Sequence, residues 1–143
     1  MSTINFKERP TTYEVCFQNE CTLAQTCLRH ICSQDPRKDE RYIRIVNPTL
    51  VKGTNEKCGF YRSDQPVRVA YGIKHIFDNV PHIKHDLLYS MVKCYFGKNT
   101  FYRIYHKERP IWPDEQEVVQ SFFTDNGIKE PVVYEEYKET IKW

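Results

Sequence analysis

Six cysteines, four of them within seventeen residues, are the side chains of this chain best suited to do chemistry. They run Cys16-x4-Cys21-x5-Cys27-x4-Cys32, followed by Cys58-Gly59 and, alone, Cys94. Thiolates are soft ligands, and a structural zinc takes four ligands in a tetrahedron, usually a close pair and a distant pair. These spacings stand at the wide end of that pattern, so the competing reading is a set of small buried thiols with no ligand. An iron–sulfur cluster would use the same thiolates, but the short ferredoxin spacings are missing. The compartment matters for the choice. The N-terminal stretch MSTINFKERPTTYEV has no apolar core and no small-residue cleavage site, so it does not read as a secretory leader. The expectation is a cytoplasmic protein, where disulfides are rare and clustered cysteines hold metal or stay reduced.

The elements that must position the cysteines are short. Residues 1–15 read as an extended lead-in containing Pro10. Thr22 can cap a helix running to Cys32, with Leu23, Cys27 and Ile31 at four-residue spacing. On such a helix Cys27 and Cys32 point about 140° apart and cannot share one metal. SQDPRKDE (33–40) is a charged loop, Arg41–Val46 alternates as a strand, and Gly53-Thr54-Asn55 is a turn. Gly59 lets the chain turn tightly behind Cys58 and aim N–H groups at a bound sulfur. The preferred ligand set is Cys16, Cys21, Cys27 and Cys58, with Cys32 spare and His30 a weak substitute.

Beyond residue 62 the pattern is helical. Ser63 or Asp64 can cap a helix to about Phe77, with Ala70, Ile73, Phe77 and Val80 as its apolar stripe. A second helix opens at Pro81 and ends at Gly97, stacking Ile83, Leu87, Met91 and Tyr95, with Cys94 in the core. A third covers TFYRIYH from Asn99 or Thr100. A fourth starts at Pro113, carries Asp114, Glu115 and Glu117 in its first turn, and ends at Gly127. For the tail, PVVYEEYKETIKW, periodicity leaves strand and helix both open. The fold expected is α+β and mainly helical: a Cys-rich, metal-stapled portion (1–62) packed on a C-terminal bundle of about four helices (63–143), together one compact unit.

Charge is unevenly spread. Residues 67–112 hold eight Lys/Arg against three Asp/Glu, and residues 113–143 hold three against eight. A basic middle beside an acidic tail suits a polyanion, or the two pair with each other. Residues 81–125 follow the order of a helix-turn-helix. In it Asn99, Thr100, Tyr102, Arg103, His106, Lys107 and Arg109 are the polar positions suited to bases and phosphates. The segment is similar to small repressor-like units in which a TFYR-type helix precedes an acidic helix start.

The blocks VCFQNECTLAQTCLRHIC, CGFYRSDQPVRVAYGIKHIFDNVP and TFYRIYHKERPIWPDEQEVVQSFFTDNGI together resemble a family of small uncharacterised Bacteroidetes proteins (domain of unknown function 6078). The resemblance runs from about Cys16 to Trp143. It implies that three cysteines of the first block recur with the later one, matching Cys16, Cys21, Cys27 and Cys58 and leaving out Cys32. It implies no activity.

Nothing points to an enzyme. GxSxG, HExxH and a glycine-rich phosphate loop are all missing, and there are only five glycines. His82 and His85 have no matching ligand motif, and no local charge favours a thiolate at Cys32 beside His30. No apolar run is long enough to span a membrane, and no small-molecule substrate is evident. The function expected is a zinc-stabilised binding module, with nucleic acid as partner through 98–109. The alternative is a protein-interaction or scaffold protein with no nucleic-acid role.

Overall fold

The computed structural model describes residues 4–35, 40–51 and 57–143. The centre of the 33–40 loop and the turn at Gly53–Asn55 lie outside the described residues. The chain divides into two units, one of residues 1–66 with 141–143 and one of residues 67–140. Both helix and sheet are present, and each unit has its own buried cluster.

The cysteine-bearing unit is mostly loop. Its helices are α1 (Leu28–Ser33) and α2 (Pro48–Val51), with short 3-10 turns at Phe6–Glu8 and Ala24–Thr26. The helix expected over 22–32 is therefore interrupted: Cys27 is extended and stands at the N-cap of α1. This moves the buried face from Leu23 and Ile31 to Leu28 and Cys32. The strand expected over 41–46 reduces to one parallel bridge, Val15 to Ile45. The lead-in is more than an arm, since Tyr13 and Val15 form the small core with Leu28 and Cys32, flanked by Ile141 and Trp143.

Tyr13 is edge-on to Trp143, and its hydroxyl has no hydrogen-bond partner among the described residues. Burial pushes its pKa up to about 12, against the opposing charge of Arg29. In the other unit burial also raises Tyr134. An unfolded chain loses these protons near the ordinary tyrosine value of about 10 while the folded one keeps them. The unfolded state then binds fewer protons, so stability falls as pH rises from 10 towards 12. Ultraviolet titration is expected to show Tyr13 and Tyr134 ionising late. Tyr13→Phe should flatten the alkaline loss of stability.

The second unit contains β1 (Val67–Tyr71), α3 (His82–Phe96), α4 (Lys98–Tyr105), α5 (Pro113–Asp125) and β2 (Glu136–Thr140). β1 and β2 pair antiparallel, with Val67 opposite Thr140 and Tyr71 opposite Glu136. The helix expected over 63–77 is thus a strand followed by a turn segment. Val67 and Val69 suit the pleat, and Gly72, at φ 81°, takes a left-handed conformation that no helix continues through. Ile73, Ile76 and Phe77 are still buried, but from a turn segment. Ala70 also exchanges two backbone hydrogen bonds with Ile111, at 3.0 and 2.8 Å.

The three helices begin and end close to the punctuating residues. Gly97 and Gly127 both have positive φ. Ile128 and Gly127 donate back to Phe123 and Thr124, closing α5. At its start, Glu115 accepts from the Trp112 N–H at 2.9 Å. Phe101, Ile104, Leu88, Val92 and Val119 are fully buried around Ala70 and Ile111. α3 turns a different face inward than its apolar spacing suggests. Leu88 and Val92 are buried, whereas Ile83, Leu87 and Tyr95 are exposed. Cys94 is exposed as well, not core.

Candidate functional site

Three stretches of the cysteine-bearing unit are tied together by backbone hydrogen bonds. Val15 donates to Arg44 and accepts from Val46, and Cys16 donates to the Arg29 carbonyl at 3.0 Å. Leu28 donates to Arg62 at 2.7 Å and Asp64 to Thr26 at 3.2 Å, which lays the 58–64 stretch against Cys27. Cys21 accepts from Ala24, and Cys58 from Tyr61, so each begins a turn.

Arg29 strengthens this arrangement from inside. Its guanidinium is buried and donates to the Phe60 carbonyl at 2.9 Å and the Glu14 carbonyl at 2.8 Å. One side chain therefore joins the stretch before Cys16 to the stretch after Cys58. Its charge is met by Glu14 at 3.4 Å and lies over the Tyr13 ring at 5.0 Å from the centroid. Buried guanidinium groups need this kind of full partnering. Sequence reasoning missed Arg29, because an arginine inside LRHIC carries no local mark of burial.

The result is a small cavity of about 20 Å³ whose wall includes Cys16, Cys21, Cys27, Cys58 and His30. That volume holds roughly one water-sized particle. Cys32 lies elsewhere, in the small core. All six cysteines are free thiols. The His30 Nδ1 is buried without a hydrogen-bond partner among the described residues. Four soft sulfur donors and an unsatisfied imidazole nitrogen fit the donor preferences of zinc. Among the described residues, however, no three His, Cys, Asp or Glu side chains are gathered closely enough to hold a metal ion.

The basic segment is spread more thinly. Asn99, Tyr102, Arg103 and His106 are exposed on or just after α4, and Thr100 is half-buried. Lys107 is held by Glu136 at 2.7 Å and Glu135 at 3.2 Å. Those hydrogen bonds raise the lysine's pKa, and the lysine in turn lowers that of Glu136. Arg109 makes a two-pronged contact with Glu115, at 2.7 and 3.1 Å. Basic middle and acidic tail thus pair with each other at two of the seven positions. Gly97 alone separates α3 from α4, against the three or four residues typical of a helix-turn-helix turn. No helix is long and apolar enough to cross a membrane among the described residues.

No curated protein and no solved structure matches the chain. One family does, over residues 1–143, and it is described as a family of unknown function, DUF6078. The cysteine blocks and the helical blocks both fall inside that match, and the chain belongs to this family.

Proposed function

We propose that the chain is a small, non-enzymatic binding module whose cysteine-bearing unit is stapled by a structural zinc ion. Cys16, Cys21, Cys27 and Cys58 are the ligands. The observation that carries this reading is their convergence on one cavity of about 20 Å³, from three chain stretches that Arg29 and the backbone hold together. Binding requires the four sulfurs to close in by rotation about their side-chain bonds, as thiolates do when a metal draws them. His30, with its unsatisfied nitrogen in the same wall, is the reserve ligand. Six free thiols accord with a cytoplasmic setting.

Elemental analysis of protein prepared without a polyhistidine tag tests the reading. About one zinc per chain is expected, falling on Cys58→Ala and unaffected by Cys94→Ser. Absence of metal, with all six thiols titrating freely in the folded protein, would remove it.

For the partner, the nucleic-acid reading is now carried by Asn99, Tyr102, Arg103 and His106, since Lys107 and Arg109 are occupied by glutamates. Duplex DNA binding that weakens with salt and is lost on Arg103→Ala with His106→Ala supports it. A protein partner is the second reading. It is favoured by the exposure of Ile83 (89%) and Leu87 (54%), one turn apart on α3.

A further inference from the structure

Two neighbouring clefts in the helical unit share Lys74, Tyr105 and His106 and so form two halves of one groove. One half has a cavity volume of about 600 Å³ and adds His75, Lys107 and Glu135. The other, about 470 Å³, adds Phe77, Tyr89, Phe101 and Tyr102. The first half sets two lysines beside Glu135, and the second is largely aromatic with Asp78 also in its wall. Both halves are open to solvent, the first more than the second.

The first half is held by a helix end and by ion pairing. Lys107 has φ 60°, the single positive φ among the described residues other than glycine. Its ammonium is shared by Glu135 at 3.2 Å and Glu136 at 2.7 Å, which leaves Lys74 as the cation of the groove that has no acidic partner among the described residues. His75 is fixed by Asp78 at 2.8 Å. Lys74 is exposed, and its ammonium has no hydrogen-bond or ion-pair partner among the described residues. The left-handed conformation of Lys107 closes α4, where Glu108 donates to the Arg103 carbonyl at 2.8 Å and Lys107 to the Ile104 carbonyl at 3.0 Å.

The aromatic half is pre-built in the same way. Tyr89 meets Phe101 edge-on at 5.2 Å, and Phe101 meets Tyr102 at 5.6 Å. Lys93 lies behind them, 5.1 Å from the Tyr102 ring centroid and 3.3 Å from its hydroxyl. Tyr102 is therefore held in place while its ring stays 39% exposed.

We propose that this groove binds a nucleoside phosphate, with the phosphate at Lys74 and His106 and the base against Tyr102 and Tyr105. A free cation suits the phosphate, and the His106 ring can donate one N–H to it. An exposed, immobilised aromatic wall suits the base, whose face stacks on rings with little dependence on sequence. A free nucleotide and one unit of a single strand offer the same chemistry. The inference deepens the nucleic-acid reading of this unit by replacing groove reading in a duplex with capture of an unstacked nucleotide, and it does not depend on the metal.

The test is an amide NMR titration of the full chain with AMP and with inorganic phosphate, beside anisotropy with a fluorescein-labelled octathymidylate and a labelled duplex. Saturable shifts centred on residues 73–78 and 101–107 are expected, with inorganic phosphate at least about tenfold weaker because it cannot stack. Lys74→Glu and Tyr102→Ala should each weaken binding by about tenfold with little change in melting temperature, since both side chains are exposed. Binding of the octamer without AMP makes the strand the source. Binding of AMP without the octamer makes it the free nucleotide. The proposal is overturned if neither saturates by about 10 mM, if phosphate matches AMP, or if Lys74→Glu changes nothing. Duplex binding that survives Lys74→Glu would keep the nucleic-acid reading and remove the groove.

Discussion

With the proposed zinc as its staple, the cysteine-bearing unit is expected to melt in a strong chelator while the core around Phe101 stays protected. Among its described residues that unit has a small buried cluster, Tyr13, Val15, Leu28 and Cys32, and two short helices. Clusters of that size contribute little against chain entropy, and small units of this kind lean on a staple. The second unit has its own core of twelve buried residues and needs no such help. Zinc held by thiolates is folding free energy, of order 10 kcal/mol in small modules at neutral pH. Cys58→Ala or Cys16→Ala should therefore lower the first melting transition by more than roughly 10 °C. Cys32→Ala removes only a sulfur atom from a packed site and should cost about 1 kcal/mol. Hydrogen exchange read residue by residue checks the pattern. Uniform loss of protection across both units, or Cys32→Ala matching Cys58→Ala, would show that the thiols act by packing and not as ligands.

The legible parts of this fold are those where a single residue punctuates the chain. Pro81, Gly97, Pro113 and Gly127 mark the ends of α3 and α5 to within a residue or two, because proline and left-handed glycine act locally. What stayed hidden depends on distant partners. The spacing of Ala70, Ile73 and Phe77 imitates a helix, and only pairing of Val67 with Thr140, more than seventy positions away, makes the segment a strand. A local pattern contains no record of that partner. The buried face of α3 differs from its apolar spacing for the same reason: Leu88 and Val92 join Phe101 and Ile104 in the core, and Ile83 and Leu87 are exposed. The cysteine cluster shows a mixed outcome. Cys32 does lie apart from the other four, but not for the helical reason expected, since α1 begins only after Cys27. Cys32 is apart because it belongs to the face of α1 that packs on Tyr13 and Val15. Lys74 and His75 carry no motif, and their meeting with His106 is a product of the turn after Gly72.

Gly72→Ala is expected to destabilise the helical unit by about 3 kcal/mol, seen as a fall of roughly 10 °C in its melting temperature. Two costs add. At φ 81° any Cβ is strained, by about 1–2 kcal/mol. The new methyl would also overlap the Glu135 carboxylate and stand 3.0 Å from the Glu135 Cβ. Glu135 cannot swing away freely, because its carboxylate is largely buried and held by Lys107. Displacing it breaks that ion pair at the residue next to β2, just beyond the Tyr71 to Glu136 register. A double-mutant cycle separates the two costs. In a Glu135→Ala background the overlap with the carboxylate is gone, and Gly72→Ala should cost only the backbone part, about 1–2 kcal/mol. An undiminished cost in that background would mean that Glu135 does not press on Gly72.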